Sequence, residues 1–130
     1  MESMQSPSTL VLVVDDDSIL RESLALLLSI KGYQVITACD GREALQTLHD
    51  GRRPCLIVLD LMMPGMDGFQ FRRAQLEDPA LAKIPVVLCS GHPTAPHVAQ
   101  QLGALACFEK PFDVQSLLGV VASQADTTTH

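Results

Sequence analysis

What this chain lacks narrows its function before any motif is read. It has no excess of basic residues: 9 Lys and Arg stand against 15 Asp and Glu, for a formal net charge of -6 and a pI near 5.0. Nucleic-acid binding draws most of its affinity from neutralising phosphates, so direct contact with DNA or RNA is not expected. No apolar run approaches the roughly 20 residues that span a bilayer, and no basic segment followed by an apolar one opens the chain. Membrane insertion and secretion are therefore not expected, and the cytoplasm is the expected location. Cys39, Cys55, Cys89 and Cys107 show no Cys-x-x-Cys spacing and fall in or beside apolar runs, which predicts reduced, buried thiols and argues against disulfides or zinc. His49, His92, His97 and His130 are scattered, so they form no expected metal site. Internal repeats and low-complexity blocks are absent as well.

What is present is the composition of one packed α/β domain: 130 residues, 47% hydrophobic and 18% charged. Polar residues at 1–8 and 124–130 are read as tails around a domain at 9–123. Short, uninterrupted runs of β-branched residues and leucine recur, bounded by turn residues. Runs of this kind are the mark of strands buried on both faces in a parallel sheet. They alternate with helical patterns. Ser18 to Ile30 carries Leu20, Leu24, Leu27 and Leu28 on one face, with Asp17 as N-cap and Gly32 as stop. Strands are expected over Gln34 to Cys39, from Pro54, from Pro85 to Ser90, and after Gly103. Further helices are expected after the capping-box-like Asp40 to Glu43, over Phe69 to Leu76, over His97 to Leu102, and after Asp113. The predicted fold is a doubly wound, five-stranded parallel sheet of flavodoxin-like order 2-1-3-4-5. Pro93 and Pro96 leave its fourth helix short or displaced.

Three runs end in residues that an anionic phosphate site would need. Val11-Leu12-Val13-Val14 delivers Asp15-Asp16, Leu56-Ile57-Val58-Leu59 delivers Asp60, and Phe108-Glu109 delivers Lys110-Pro111. Ligands of open parallel sheets bind beyond the carboxyl ends of the strands, so these groups should meet at one edge. Helix capping accounts for Asp17 and for one of the preceding pair, but not for a third acid arriving after a different strand. Carboxylates held together repel one another unless a cation is present, and an all-oxygen set favours Mg²⁺.

Val13-Val14-Asp15-Asp16-Asp17, Leu59-Asp60-Leu61-Met62-Met63-Pro64-Gly65-Met66-Asp67-Gly68, Ser90-Gly91 and Lys110-Pro111-Phe112 occur in this order across nearly the whole chain. Together they resemble the receiver domain of bacterial two-component response regulators. The resemblance implies that Asp60 is the phosphoacceptor and takes its phosphoryl group from a sensor histidine kinase or a histidine phosphotransfer protein. It implies that Asp16, Asp60 and the backbone carbonyl of Met62 coordinate Mg²⁺, with Asp15 acting through a metal-held water. Lys110 would pair with the phosphoryl oxygens, aimed inward by a cis bond to Pro111, and Ser90 would donate its hydroxyl to them. The domain would catalyse only its own phosphotransfer and autodephosphorylation.

Two departures from the receiver pattern stand out. The usual Tyr or Phe three residues before the lysine is Cys107, and Phe108 should point to the other side of its strand. The span from Ser90 to Gly103 is about two residues short and holds two prolines. The switch positions Ser90 and Cys107 are therefore expected to report phosphorylation by a non-standard rearrangement. Met62 cannot hydrogen-bond an attacking water, which points to a long-lived acyl phosphate.

With no output domain after the last helix, the leading expectation is a stand-alone receiver that signals by protein contact to an unknown target. Excision from a hybrid kinase and a phosphorylation-independent pseudo-receiver scaffold remain open, as does the choice between monomer and homodimer. A small Mg²⁺-dependent hydrolase of the haloacid dehalogenase type would carry a second aspartate at the position of Met62.

Overall fold

The computed structural model describes residues 9–91, 95–110 and 113–127. Residues 1–8, 92–94, 111–112 and 128–130 lie outside them, and with them the expected Lys110–Pro111 geometry. The elements alternate: β1 (Leu10–Val14), α1 (Ser18–Ile30), β2 (Gln34–Ala38), α2 (Gly41–His49), β3 (Leu56–Asp60), α3 (Gly68–Glu77), β4 (Val86–Ser90), α4 (Ala95–Leu102), β5 (Ala106–Glu109) and α5 (Val114–Thr127). All strand pairs are parallel and the sheet order is β2-β1-β3-β4-β5.

Burial follows from that order. The inner strands β1, β3 and β4 are buried at every residue, whereas the edges β2 and β5 are partly open. This is why the inner strands read as unbroken apolar runs. Alternate residues feed two separate cores. Leu12, Val14, Ile57, Leu59, Val86 and Leu88 pack on one face with Ala44, Leu48, Phe71 and Ala99 from α2, α3 and α4. Val11, Val13, Leu56, Val58, Val87 and Cys89 pack on the other with Leu24, Leu28, Leu117 and Val121 from α1 and α5. Cys107 joins the first core and Phe108 the second, so they do point to opposite sides of β5.

Several local expectations are refined. Asp17 caps α1, its carboxylate accepting from the N–H groups of Ile19 and Leu20. At α2 only half of the expected box forms: Asp40 accepts from Glu43 N–H, but the Glu43 carboxylate reaches back to Cys39 N–H at 2.7 Å instead of to Asp40. The reciprocal box occurs at α3, where Asp67 and Gln70 each accept from the other's backbone N–H. α4 begins at Ala95, earlier than His97, because a proline in the first turn leaves no intrahelical donor missing. α5 passes the expected tail boundary and runs to Thr127, since Ala125 continues the buried i+4 row of Leu117 and Val121. All four cysteines are free, but only Cys55 and Cys89 are buried; Cys39 is exposed and Cys107 half-buried, as both follow or lie on edge strands. No helix among the described residues is long and apolar enough to cross a membrane.

One glycine fixes the path from the sheet into α3. A Cβ on Gly68 would lie 2.5 Å from the Asp60 carbonyl oxygen and 2.8 Å from Leu61 Cα. Gly68 also donates its N–H to the Leu61 carbonyl. Both opposing atoms are backbone and neither can swing away. Gly68→Ala is therefore expected to destabilise the fold by about 2–3 kcal/mol, seen as a lower urea midpoint at unchanged slope.

Candidate metal centre and acid pocket

Parallel register explains why the charged groups converge. Val14 pairs with Ala38 on one side and Leu59 on the other, Asp60 pairs with Cys89, and Ser90 pairs with Glu109. The residue that follows or ends each apolar run thus reaches the same edge at the same height. Asp15 extends β1 through its N–H to the Ala38 carbonyl. The carboxylate oxygens of Asp15, Asp16 and Asp60 all lie within 4.8 Å of one another, with Asp15 and Asp60 buried and Asp16 exposed.

Lys110 stands between the two buried acids. Its Nζ donates to Asp15 Oδ2 at 2.9 Å and lies 3.5 Å from Asp60 Oδ2. The other Asp15 oxygen accepts from Asp17 N–H at 2.9 Å, and Asp60 Oδ1 accepts from Met62 N–H at 3.3 Å. Arg21, reaching back from α1, donates to the Asp15 backbone carbonyl at 2.7 Å. The ammonium offsets only part of the repulsion among the three acids. Burial, and after it the Asp15 charge, push the Asp60 carboxyl up to about 7, with Lys110 acting in the opposite direction. Burial alone would lower the Lys110 pKa, but the hydrogen bond to Asp15 and the charges of both acids outweigh it and leave it raised.

The remaining expected residues are placed as follows. Ser90 ends β4 with no solvent exposure, and its carbonyl accepts from Lys110 N–H at 2.8 Å, which ties the two strand ends together. The Met62 side chain is 59% exposed at the mouth of the pocket. Cys107 lies two register positions behind Ser90, opposite Leu88 and on the α2–α4 side of the sheet. Two contributors were not anticipated, Arg21 and the steric role of Gly68. Arg21 lies within an amphipathic pattern that explains it equally well as a solvent-facing residue. Gly68 was visible as a turn residue, but a close approach to backbone elsewhere leaves no mark in local sequence.

The oxygen-only donor set, gathered around a buried acid that lacks full neutralisation, suits a hard divalent cation such as Mg²⁺. The fold has close counterparts of the same class. Chemotaxis protein CheY4 of Vibrio cholerae superposes with a TM-score of 0.80 at 31% identity, covering 89% of this chain and 98% of that one. Response regulator TrrA of Thermotoga maritima, solved in complex with Mg²⁺–BeF, superposes with a TM-score of 0.78 at 27% identity, covering 88% and 97%. The family model of the response regulator receiver domain matches residues 11–122, and the chain belongs to that family. Protein PilG of Pseudomonas aeruginosa is 32% identical over 127 residues, which cover 96% of this chain and 93% of that protein. Other curated relatives are longer. The match spans 24% of the C4-dicarboxylate transport regulator DctD of Pseudomonas aeruginosa, at 38% identity and 87% of this chain, and 51% of the Mycolicibacterium vanbaalenii response regulator MprA, at 40% identity and 92% of this chain. Receiver domains are signalling modules of two-component systems and not classical enzymes; they interact with histidine kinases and downstream targets, and they bind Mg²⁺ at an acidic pocket.

The raised Asp60 pKa sets a sign for pH dependence. Between the ordinary carboxylate value of 3.8 and about 7 the folded state keeps a proton that the unfolded state has released. Without metal, stability therefore falls as pH rises through that window. Asp60→Asn removes the penalty: in chelator its urea midpoint should exceed the parent's at pH 8 by the equivalent of about 1–3 kcal/mol, with the gap closing towards pH 4.

Proposed function

We propose that this chain is a receiver that accepts a phosphoryl group on Asp60 from a sensor histidine kinase or histidine phosphotransfer protein, with Mg²⁺, and passes the signal on by protein contact in the cytoplasm. One observation carries the reading: Lys110 Nζ is shared between buried Asp15 and Asp60 inside a trio of carboxylates that it does not fully neutralise.

The residues divide the work by position. Asp60 supplies the attacking oxygen; its bond to phosphorus forms as the bond to the donor imidazole nitrogen breaks, and the imidazole departs. Only the ionised carboxylate can attack, and burial opposes that form. Asp16, Asp60 and the Met62 carbonyl are the ligands proposed for Mg²⁺, with Asp15 reaching it through water. The ion, when bound, favours ionised Asp60 and offsets the charge gathering on the transferring oxygens. Lys110, already held at the pocket by Asp15, exchanges its contact with Asp60 for the phosphoryl oxygens. Ser90, at the end of β4 beside Lys110, donates its hydroxyl to the same group. The protein contributes position and charge more than covalent chemistry.

Two features of the pocket bear on what happens after transfer. The exposed Met62 side chain has no group to orient a water, so the acyl phosphate persists. With Cys107 where receivers carry an aromatic ring, the phosphorylated state is reported by rearrangement around Ser90 and α4.

Intact mass after incubation with acetyl phosphate and Mg²⁺ tests the core reading. One added phosphate is expected on the parent and none on Asp60→Ala or in EDTA; labelling that survives Asp60→Ala would overturn the assignment. Met62→Asn, labelled in the same way, should lose phosphate roughly tenfold faster, a barrier change of about 1.4 kcal/mol. An unchanged half-life would reduce Met62 to a cover over the pocket.

A further inference from the structure

α4 is poorly provided with the means to stay in place. At eight residues it is the shortest of the five helices, too short to persist through its own hydrogen bonds. Among its described side chains only Ala99 is buried; Val98 and Leu102 are half-covered. Its C-terminal turn nevertheless closes in a full Schellman motif. Gly103, at φ +68°, donates its N–H to Gln100, and Ala104 donates to Ala99 at 3.0 Å. That motif leaves the carbonyls of Leu102 and Gly103 to be satisfied from elsewhere.

They are satisfied by a buried charge on another helix. Arg72 of α3 is 6% exposed; its Nε donates to the Leu102 carbonyl at 3.0 Å and its Nη2 to the Gly103 carbonyl at 3.3 Å. Its Nη1 donates to Gln75 Oε1 at 2.8 Å. Gln75, with no solvent exposure, sends its own Nε2 to the carbonyls of Leu81 and Ile84 at 2.9 and 3.0 Å. A guanidinium at a helix C-terminus is favoured by the exposed carbonyl dipoles. Among the described residues its hydrogen-bond partners are neutral oxygens: two backbone carbonyls and one amide.

The four carbonyls have one thing in common. Leu81 and Ile84 lie in the connection leading to β4, while Leu102 ends α4 and Gly103 opens the connection leading to β5. Those two strands deliver Ser90 and Lys110. The helix that carries the pair begins at Gly68, against the backbone of Asp60. We propose that Arg72 and Gln75 are positioning residues, a buried polar clamp on α3 that fixes the C-terminal end of α4 and the approaches to β4 and β5, so that movement of α4 pivots about Gly103. The clamp itself stands apart from the phosphoacceptor reading; only its use in signalling rests on that reading.

Hydrogen–deuterium exchange on the whole chain tests the clamp without phosphorylation. Arg72→Met keeps volume but strands Gln75 and the two carbonyls, and exchange in the segment 97–106 should accelerate at least tenfold while α1 and β1 stay unchanged. A uniform loss of protection, or no change in that segment, would overturn the proposal. Because Arg72→Met can lower stability through the orphaned amide alone, the double variant Arg72→Met with Gln75→Leu provides the control. It removes that orphan but leaves the carbonyls of Leu81, Ile84, Leu102 and Gly103 without their side-chain donors, so its urea midpoint should stay below the parent's and 97–106 should still exchange fast; a parent-like midpoint with parent-like exchange would mean that the pair only fills the core. A second arm adds Mg²⁺ and beryllofluoride to the parent and the double variant. In the parent, altered protection in α4 should fade towards Gly103, and in the variant it should extend through it; equal profiles would overturn the pivot. Failure of the parent to respond at all, with the first arm intact, would count against the phosphoacceptor reading and leave the clamp standing.

Discussion

Repulsion among three carboxylates at one edge of the sheet is the constraint around which the rest of this domain is arranged. Asp15, Asp16 and Asp60 are brought within 4.8 Å by strand register, and two of them are buried. The Lys110 ammonium, held by Asp15 at 2.9 Å, is a local counterweight. That balance explains why Lys110 must arrive from the far edge strand and why its backbone is tied to Ser90. It also explains why the acid next to it is held back from ionising. A site left short of positive charge is suited to receive it from a cation, and to respond when more negative charge is added.

Around this pocket the backbone is the less forgiving component. α3 starts so close to Asp60 that only a glycine fits, and its other turns hold the connections to β4 and β5 through Arg72 and Gln75. The strands that deliver Asp60, Ser90 and Lys110 are thus referred to one helix. α4, by contrast, contributes a single buried alanine among its described side chains. Rigidity on one side of the pocket and light anchoring on the other give the domain a direction in which to yield.

The fold was legible because its main signals are local. Inner strands are buried on both faces, so they appear as unbroken apolar runs, and the polar residue that ends each run marks the functional edge. Asp15, Asp16, Asp60 and Lys110 were readable for that reason, and the structure brings them together. The helix boundaries that shifted depended on less local facts. Ala125 extends α5 because it meets a core built from distant residues, and the capping partner of Glu43 turned out to be Cys39. Arg72 and Gln75 were invisible as a pair. Polar residues on a helix read as solvent-facing, and only the folded chain shows that carbonyls 6 to 31 residues away are waiting for them. Cys55 and Cys89 are buried as their strands imply, whereas Cys39 and Cys107 are not, since proximity to a strand predicts burial only when that strand is not at an edge.

Cys39 carries a practical consequence. It is exposed at the end of edge strand β2, beside the residue whose carbonyl pairs with Asp15, while Cys55 and Cys89 are buried and Cys107 is half-covered. The thiol's hydrogen bond to the Glu43 carboxylate, then slight burial and the charges of Glu43 and Asp40, raise its pKa, so it reacts slowly at neutral pH and faster in mild alkali. The natural chain therefore comes with an attachment point for a fluorophore or spin label at the rim of its acid pocket. The same thiol makes disulfide-linked dimers in ageing, unreduced samples a handling artefact to be removed before any oligomeric state is assigned.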